Sequence, residues 1–535
     1  MSDRPEHVDP TAAQAPPDPV APTERSRIDG HSAVASVGQS HSRPVIASDQ
    51  GSATPIARSR AVAVGTEPLL LDQSTLVPER PSGSSPWEGD LAGAELRVPR
   101  DPRSRLALVS LLLALVAFGL SLLSVVNAPR FSALDENTHL DYAYQLSHGH
   151  LAYSGQLESP YTINSWACRS QAGLPALPPC NSGLPNSAYP GGAVQYNGFH
   201  PPLYYAITGV TARALAAITG KDFMTVARSL GAVWLFAGML AMYLTLRYWR
   251  LGWGWAMGGA LLLPLFPAVL HASSTVTNDA PVMLAGVAAL FLIGRATIYH
   301  RTGWILPVLF IALATATKSI SAVALLAVAL GLLIFGIARL RGTDSREGVV
   351  CIRNSVLMVF TFVAVHFGWQ AIAGRLVPEG FVSPIEGVHT AEIVGLPFDE
   401  WMPTLLSGAR LGANYYLDPT VNGRYLAAWI IGLSTVIAGT GLIGLALFRR
   451  GRPAWVASGL LLIGIVEYPL FVQLQSYLAG VYFPGMNDRY GMSLIPLAVG
   501  VLVLIVERRN LRKTSAVVLA LGSVAVLTAT LGLQQ

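Results

Sequence analysis

Charge is what this sequence has least of. Of its 535 residues, 13% are Asp, Glu, Lys or Arg and 52% are hydrophobic, with a mean hydropathy of +0.46. A soluble multidomain protein carries about 25% charged residues, so that class is excluded and an integral membrane protein is indicated. Cysteine is scarce as well: three residues are too few for a disulfide scaffold, and their spacing holds no zinc motif. No Gly-rich phosphate loop follows a strand and no nucleophile elbow occurs, so no nucleotide cofactor is expected. The net charge of +5 and pI near 9.1 would suit a nucleic-acid binder. The Lys and Arg residues, however, cluster at the ends of apolar runs, a pattern that reports membrane orientation, and no nucleic-acid partner is expected.

What is present begins with a tail. Residues 1–100 are rich in Pro, Ser, Ala and charge, without helical or strand period, and are expected to be disordered. No charged-then-apolar signal peptide opens at Met1, so the tail is expected on the cytoplasmic side. Arg97, Arg100, Arg103 and Arg105 lead into the first apolar run, Arg105–Val126, which is long enough to span a bilayer as an uncleaved anchor. Residues 127–199 then form a first extracytoplasmic loop. Within it, Cys168 and Cys180 either close a disulfide in an oxidising compartment or stay thiols. Cys351, flanked by Arg346 and Arg353, is expected to be a cytoplasmic thiol.

The segment Pro201–Thr219 is short and opens with prolines, which suit a first helical turn. If it crossed the membrane, Arg247 and Arg250 would fall outside, so an interfacial or re-entrant helix is expected. Further spans are predicted at Val226–Trp249, Leu251–Leu270, Asp279–Tyr299, Trp304–Thr317, Ile320–Leu340, Ser355–Gly374, Leu426–Phe448, Trp455–Leu474, Tyr490–Val506 and Ser515–Leu533. The expected fold is an all-α polytopic membrane protein, residues 101–535, with about eleven transmembrane helices by the hydropathy criterion.

This topology gathers polar motifs on one outer face: Asp135-Glu136, His200-Pro-Pro, Thr277-Asn278-Asp279, Thr317-Lys318-Ser319 and Asn487-Asp488-Arg489-Tyr490. Charges from distant parts of a chain that collect at one membrane face are expected to serve a shared site. Outer loops at 375–425 and 475–489 would roof it.

Leu134-Asp135-Glu136-x-x-His139 followed by Tyr144-Gln-Leu-Ser-x-Gly149, and the late Asp488-Arg489-Tyr490 with Ile495-Pro496, carry a resemblance. In this order, with the Pro-Pro corner and the Asn-Asp and Thr-Lys turns, they resemble the GT-C superfamily over residues 105–510. These are polytopic glycosyltransferases that use polyprenyl-phosphate sugars, and the chain looks closest to a bacterial membrane-protein family grouped with them. The late motif reads Asn-Asp-Arg-Tyr where the resemblance leads one to expect Gly-Arg-Tyr. The resemblance implies a polyprenyl-phosphate sugar donor, an extracytoplasmic glycan or glycolipid acceptor, a bacterial plasma membrane and Asp135 as catalytic base, with Glu136 beside it.

The residues fit such chemistry. Sugar transfer from phosphate needs a carboxylate to accept a hydroxyl proton and cations or a metal to offset charge on the leaving group. The alternative for Asp135 is local, since Ser132-x-x-Asp135 is a capping-box-like helix start. Lys318 and Arg489 are the candidates for the donor phosphate, against simple snorkelling at a membrane boundary. His200 orients the Pro-Pro corner or touches substrate, and Tyr490 completes the substrate-binding set. His139 with Asp135 and Asp279 would suit a divalent metal, Mg, Mn or Zn; the alternative is a plain surface histidine. Glu467 lies within a span, where an acid is a functional candidate by default. Competing functions are a transporter or flippase of lipid-linked saccharides and a non-catalytic cell-envelope assembly protein.

Overall fold

A computed structural model describes residues 101–171, 174, 176–341, 345–384, 391–392, 408–411, 423–478, 480–482 and 488–508. The expected tail at 1–100, most of the loop at 375–425 and the span at Ser515–Leu533 lie outside the described residues. The protein is an all-α, multi-pass membrane protein. Its β-structure among the described residues is a two-residue antiparallel pairing, Ala391–Glu392 with Val481–Tyr482, and two isolated bridges.

Six described helical stretches are long and apolar enough to cross a membrane. They are helix α1 (Arg103–Asn127), Phe223–Tyr248, Ser319–Leu340, α12 (Ser345–Leu376), α14 (Pro453–Leu478) and Arg489–Glu507. Against the expectation of about eleven, six are found among the described residues. Proline explains much of the difference. The run Leu251–Leu270 breaks into α7 (Trp253–Leu262), a 3-10 turn holding Pro264, and the short α8 (Pro267–Ala272). The next helix, α9 (Val282–Thr297), starts only after Pro281 and has 16 residues; α10 (Ile305–Thr317) has 13. At 1.5 Å per residue these reach about 24 and 20 Å, short of a hydrocarbon core of about 30 Å. Helix α13 (Gly423–Leu447) is an apolar helix of 25 residues.

On α1, Val109, Leu113, Ala117, Ser121 and Ser124 form one buried stripe at helical spacing, while Leu108, Leu111, Leu115 and Leu122 are exposed. Only 22% of its apolar window is buried within the protein, so the remaining face requires lipid. The stripe packs on α6 (Gly231–Tyr248). The two run antiparallel. Asp101, before α1, accepts from Tyr243 at 2.6 Å and pairs with Arg247 at 3.0 Å near the end of α6. At the other end Arg228, in α5 (Phe223–Ser229), donates to the carbonyls of Ala128 and Arg130. Residues 128–222 thus leave and return at the same end of the α1–α6 pair. The Pro-Pro segment becomes α4 (Leu203–Thr219), 17 residues long, within this stretch.

The intervening chain folds on itself. Helices α2 (Glu136–Ser147), α3 (Pro160–Arg169) and α4 enclose a separate apolar cluster with Phe131, Tyr142, Trp166 and Tyr205. Cys168 and Cys180 are disulfide-bonded there, whereas Cys351 is a buried free thiol in α12. Two glycines permit the close approaches that matter. A side chain at Gly209 would sit 2.1 Å from the Ala143 carbonyl, so only glycine lets α4 lie against α2. A side chain at Gly286 would sit 2.0 Å from the Ser493 carbonyl, so glycine also admits the 3-10 segment Asp488–Leu494 against α9. That second approach brings the head of α15 (Ile495–Arg508) to the site.

Candidate functional site

Four charged residues from four chain turns meet at one end of the bundle. Asp135 precedes α2, Asp279 precedes α9, Lys318 ends α10 and Arg489 precedes α15. Arg489 Nη2 donates to Asp135 Oδ2 at 3.2 Å, and its Nη1 lies 3.6 Å from Asp279 Oδ2. Lys318 Nζ donates to Asp279 Oδ1 at 2.5 Å. The Asp279 and Lys318 side chains are about 5% and 4% exposed, Asp135 24%, so solvent reaches the cluster mainly on the Asp135 side. Tyr490 lies beneath both cations, its ring centroid 5.7 Å from Lys318 Nζ and 5.6 Å from Arg489 Cζ.

Local backbone aims these groups. Asp135 sits at φ 54 in the left-handed region, and its side chain makes no cap hydrogen bond. The capping-box reading is thereby corrected: the carboxylate turns away from the helix start toward Arg489 and Tyr196, whose hydroxyl donates to Asp135 Oδ1 at 2.8 Å. Burial pushes the Asp135 carboxyl up, but the Arg489 charge and these hydrogen bonds outweigh it and hold it below its ordinary value. Burial likewise opposes ionisation of Asp279, and Lys318 and Arg489 overcome it. Lys318 is pulled below its ordinary value by burial, against the attraction of Asp279.

Glu136 does not join this cluster. It is fully buried and accepts four hydrogen bonds: from Arg228 Nε and Nη2, each at 2.7 Å, from Ser132 N at 2.8 Å and from Val276 N at 2.9 Å. A carboxylate so saturated ties α2, α5 and the 273–281 turn together. The adjacent acids thus face different partners.

His139 lies in the buried layer next to the cluster. Its Nδ1 is 2.7 Å from the Tyr205 hydroxyl, and its ring stacks on His200 at 5.9 Å between centroids. Burial drives its pKa down to about 3, so it is neutral at pH 7. Burial also lowers His200 and His271 well below the ordinary histidine value. The His200 carbonyl accepts from Tyr142 at 3.1 Å, which fixes the Pro-Pro corner on α2. Around the residues expected to hold a metal, Asp135 and Asp279 are bridged by Arg489 and His139 Nδ1 faces Tyr205; among the described residues no group of three His, Cys, Asp or Glu converges.

Two supports, Tyr196 and Arg228, were not legible as site residues in the sequence, and a third, Asn278, was named there only within its motif. Tyr196 was unmarked, being one aromatic in a Pro/Gly-rich loop. It is held by the neighbouring Gln195, which donates to the Thr138 carbonyl at 2.8 Å and to Asp141 at 3.2 Å. Beside it lie the buried acids Asp141 and Glu158. Burial raises both, and for Glu158 the charge of Asp141 adds to the effect. Arg228 carried a signal, a lone arginine in an apolar run, which implies a buried partner. Asn278 is the third: it is fully buried and neither its Oδ1 nor its Nδ2 meets a protein partner, one residue from Asp279. Glu467 lies within α14, away from these contacts, with Oε2 buried and unpartnered. No family model matches the chain, and no curated protein matches it.

Proposed function

We propose that the chain is a membrane glycosyltransferase that moves a sugar from a polyprenyl-phosphate donor to a hydroxyl of a glycan or glycolipid of the cell envelope. One observation carries the reading: Arg489 spans Asp135 and Asp279 while Lys318 closes on Asp279, which sets two cations against two carboxylates where solvent reaches Asp135. A donor phosphate would compete with the carboxylates for Arg489 and Lys318. As Arg489 turns to the phosphate, Asp135 loses its counter-charge and becomes a stronger base, so donor binding arms the site. The acceptor hydroxyl gives its proton to Asp135 and its oxygen bonds to the anomeric carbon. The bond from that carbon to the phosphate oxygen breaks, and the polyprenyl phosphate leaves with the electron pair, its charge offset by Lys318 and Arg489. Asn278, with an unfilled amide beside Asp279, is suited to hold a sugar hydroxyl. The arginine-rich end of the bundle would face the cytoplasm by the positive-inside rule, in a bacterial plasma membrane, and the site the opposite side.

The test is transfer by the purified full chain in liposomes, supplied with a panel of short-chain polyprenyl-phosphate hexoses and pentoses. Release of polyprenyl phosphate by wild type and a loss of about a hundredfold or more in Asp135→Asn are expected, the size of a general-base contribution. Equal release by both would remove Asp135 from the chemistry. A second reading, transport of lipid-linked saccharides, is favoured by Glu467, an unpartnered acid inside a span. Movement of labelled donor across the bilayer without cleavage, lost in Glu467→Gln, would decide for it.

A further inference from the structure

Away from the acidic cluster, at the opposite ends of α9 and of α11 (Val323–Leu340), lies a cleft with about 840 Å³ of empty space, its mouth included. The two ends are set apart by the helices themselves. Asp279 and Lys318 precede α9 and the α11 stretch, whereas Arg295 and Arg339 lie in their last turns. Sixteen residues of α9 put the ends about 24 Å apart.

The cleft is amphipathic. Leu292, Ile293, Val328, Leu332, Phe335 and Leu460 make an apolar wall. Arg295, Arg301, Arg339 and His300 stand around it, and the one acid among the described lining residues is Glu347, which pairs with Arg339 at 3.4 Å. The cationic excess therefore falls on Arg295 and Arg301. Arg295 also carries a buried Nε that meets no acceptor in the protein, a donor whose desolvation nothing in the chain offsets. Exposed Ile337, Leu340 and Val349 on the same helix ends place the cleft where protein surface meets lipid.

We propose that this cleft binds an anionic phospholipid, with the phosphate held by Arg295 and Arg301 and an acyl chain laid on the apolar wall. Both halves of the ligand are needed to match both halves of the cleft. A free phosphate gains nothing from the apolar wall, and a zwitterionic lipid brings no net charge to the arginines. Guanidinium forks bind phosphate bidentately, and basic residues near an anionic leaflet add to the attraction.

The test uses the full chain in mild detergent and titrates dioleoylphosphatidylglycerol, with dioleoylphosphatidylcholine as the neutral reference and glycerol 3-phosphate as soluble competitor. Bound lipid is counted by native mass spectrometry. Wild type is expected to favour phosphatidylglycerol by about tenfold or more, because the choline of the neutral lipid brings a positive charge up to the two arginines while its phosphate is the same. Arg295→Gln with Arg301→Gln is expected to erase that preference, and Ala296→Trp, which fills the cleft and keeps its charge, to weaken both lipids. Arg301 is exposed, so Arg301→Gln alone keeps the test open if the double variant does not fold. Equal binding of the two lipids, or a preference that survives removal of the arginines, would overturn the proposal. Displacement by glycerol 3-phosphate at matched concentration would assign the site to soluble phosphate and overturn it too.

Discussion

Arg489 and Asp135 are 354 positions apart in the chain and meet at 3.2 Å, and the same guanidinium reaches Asp279 at 3.6 Å. One planar group with several donors serves two carboxylates on different turns. A lysine cannot do this, because its ammonium is a compact point charge on a flexible stem. Arg489→Lys is expected to keep the fold and to lower kcat/KM for sugar transfer by about ten- to a hundredfold, or 1.4–2.7 kcal/mol. Wild-type kcat/KM in that variant would mean that charge alone, not the bridge, is what the site uses.

The Asp279–Lys318 pair is buried on both sides, so removing either partner leaves a buried charge without its nearest counter-ion, offset for Asp279 only by Arg489 at 3.6 Å. Asp279→Asn or Lys318→Met is expected to cost about 3–5 kcal/mol singly, with much of that recovered in the double variant. A double-mutant cycle on thermal unfolding in detergent measures the coupling. Strictly additive effects would show that the two side chains do not depend on each other.

For Glu136 the expected damage is to folding. Replacing it by Gln leaves Arg228 buried without its counter-charge, at a cost of about 3–5 kcal/mol. The loss should appear as reduced folded yield and a lower unfolding temperature, and Arg228→Met should mimic it. Turnover per folded molecule should change far less than in Asp135→Asn. A Glu136→Gln protein with wild-type stability but no turnover would reverse the assignment.

Acid is expected to destabilise the protein below about pH 6.5, the ordinary histidine value. His139, with a folded pKa of about 3, stays neutral in the native state while the unfolded chain takes up the proton. The unfolded state then binds more protons, so stability falls as pH drops from about 6.5 toward 3, by up to about 1.4 kcal/mol per pH unit for one histidine. His200 and His271, also held down by burial, add slope of the same sign. Asp135 and Asp279 have depressed pKa values, so their contribution persists above the ordinary carboxylate range and is lost only further down as they protonate. Unfolding temperatures from pH 7.5 to 5 check this, with His139→Gln expected to flatten the curve. Glu158 and Asp141, raised by burial, contribute slope of the opposite sign, so a flat wild-type profile would mean that they offset the histidines or that the histidines take up protons in the folded state.

Much of the fold could be read in the residues. Long apolar runs are visible because a span needs about 20 consecutive apolar residues, a local property of the chain. The reading of Pro201–Thr219 as an interfacial or re-entrant helix rested on the placement of arginines relative to apolar runs. Counting spans went too far because hydropathy does not register Pro264, Pro267 and Pro281, which cut apolar runs into pieces too short to cross.

Sequence by itself determined the class, an all-α multi-pass membrane protein, and which polar residues interrupt its apolar pattern. Tertiary structure decided what those residues do to one another. Adjacent in sequence, Asp135 and Glu136 part company because a left-handed backbone at Asp135 points one carboxylate at Arg489 while the next is enclosed by Arg228. Conversely, residues hundreds of positions apart become one cluster because Gly286 allows the 488–494 segment to press against α9. Hydropathy is carried residue by residue, so the chain states it. The direction of a side chain and the identity of its partner arise from packing between distant segments, and only the folded protein holds them.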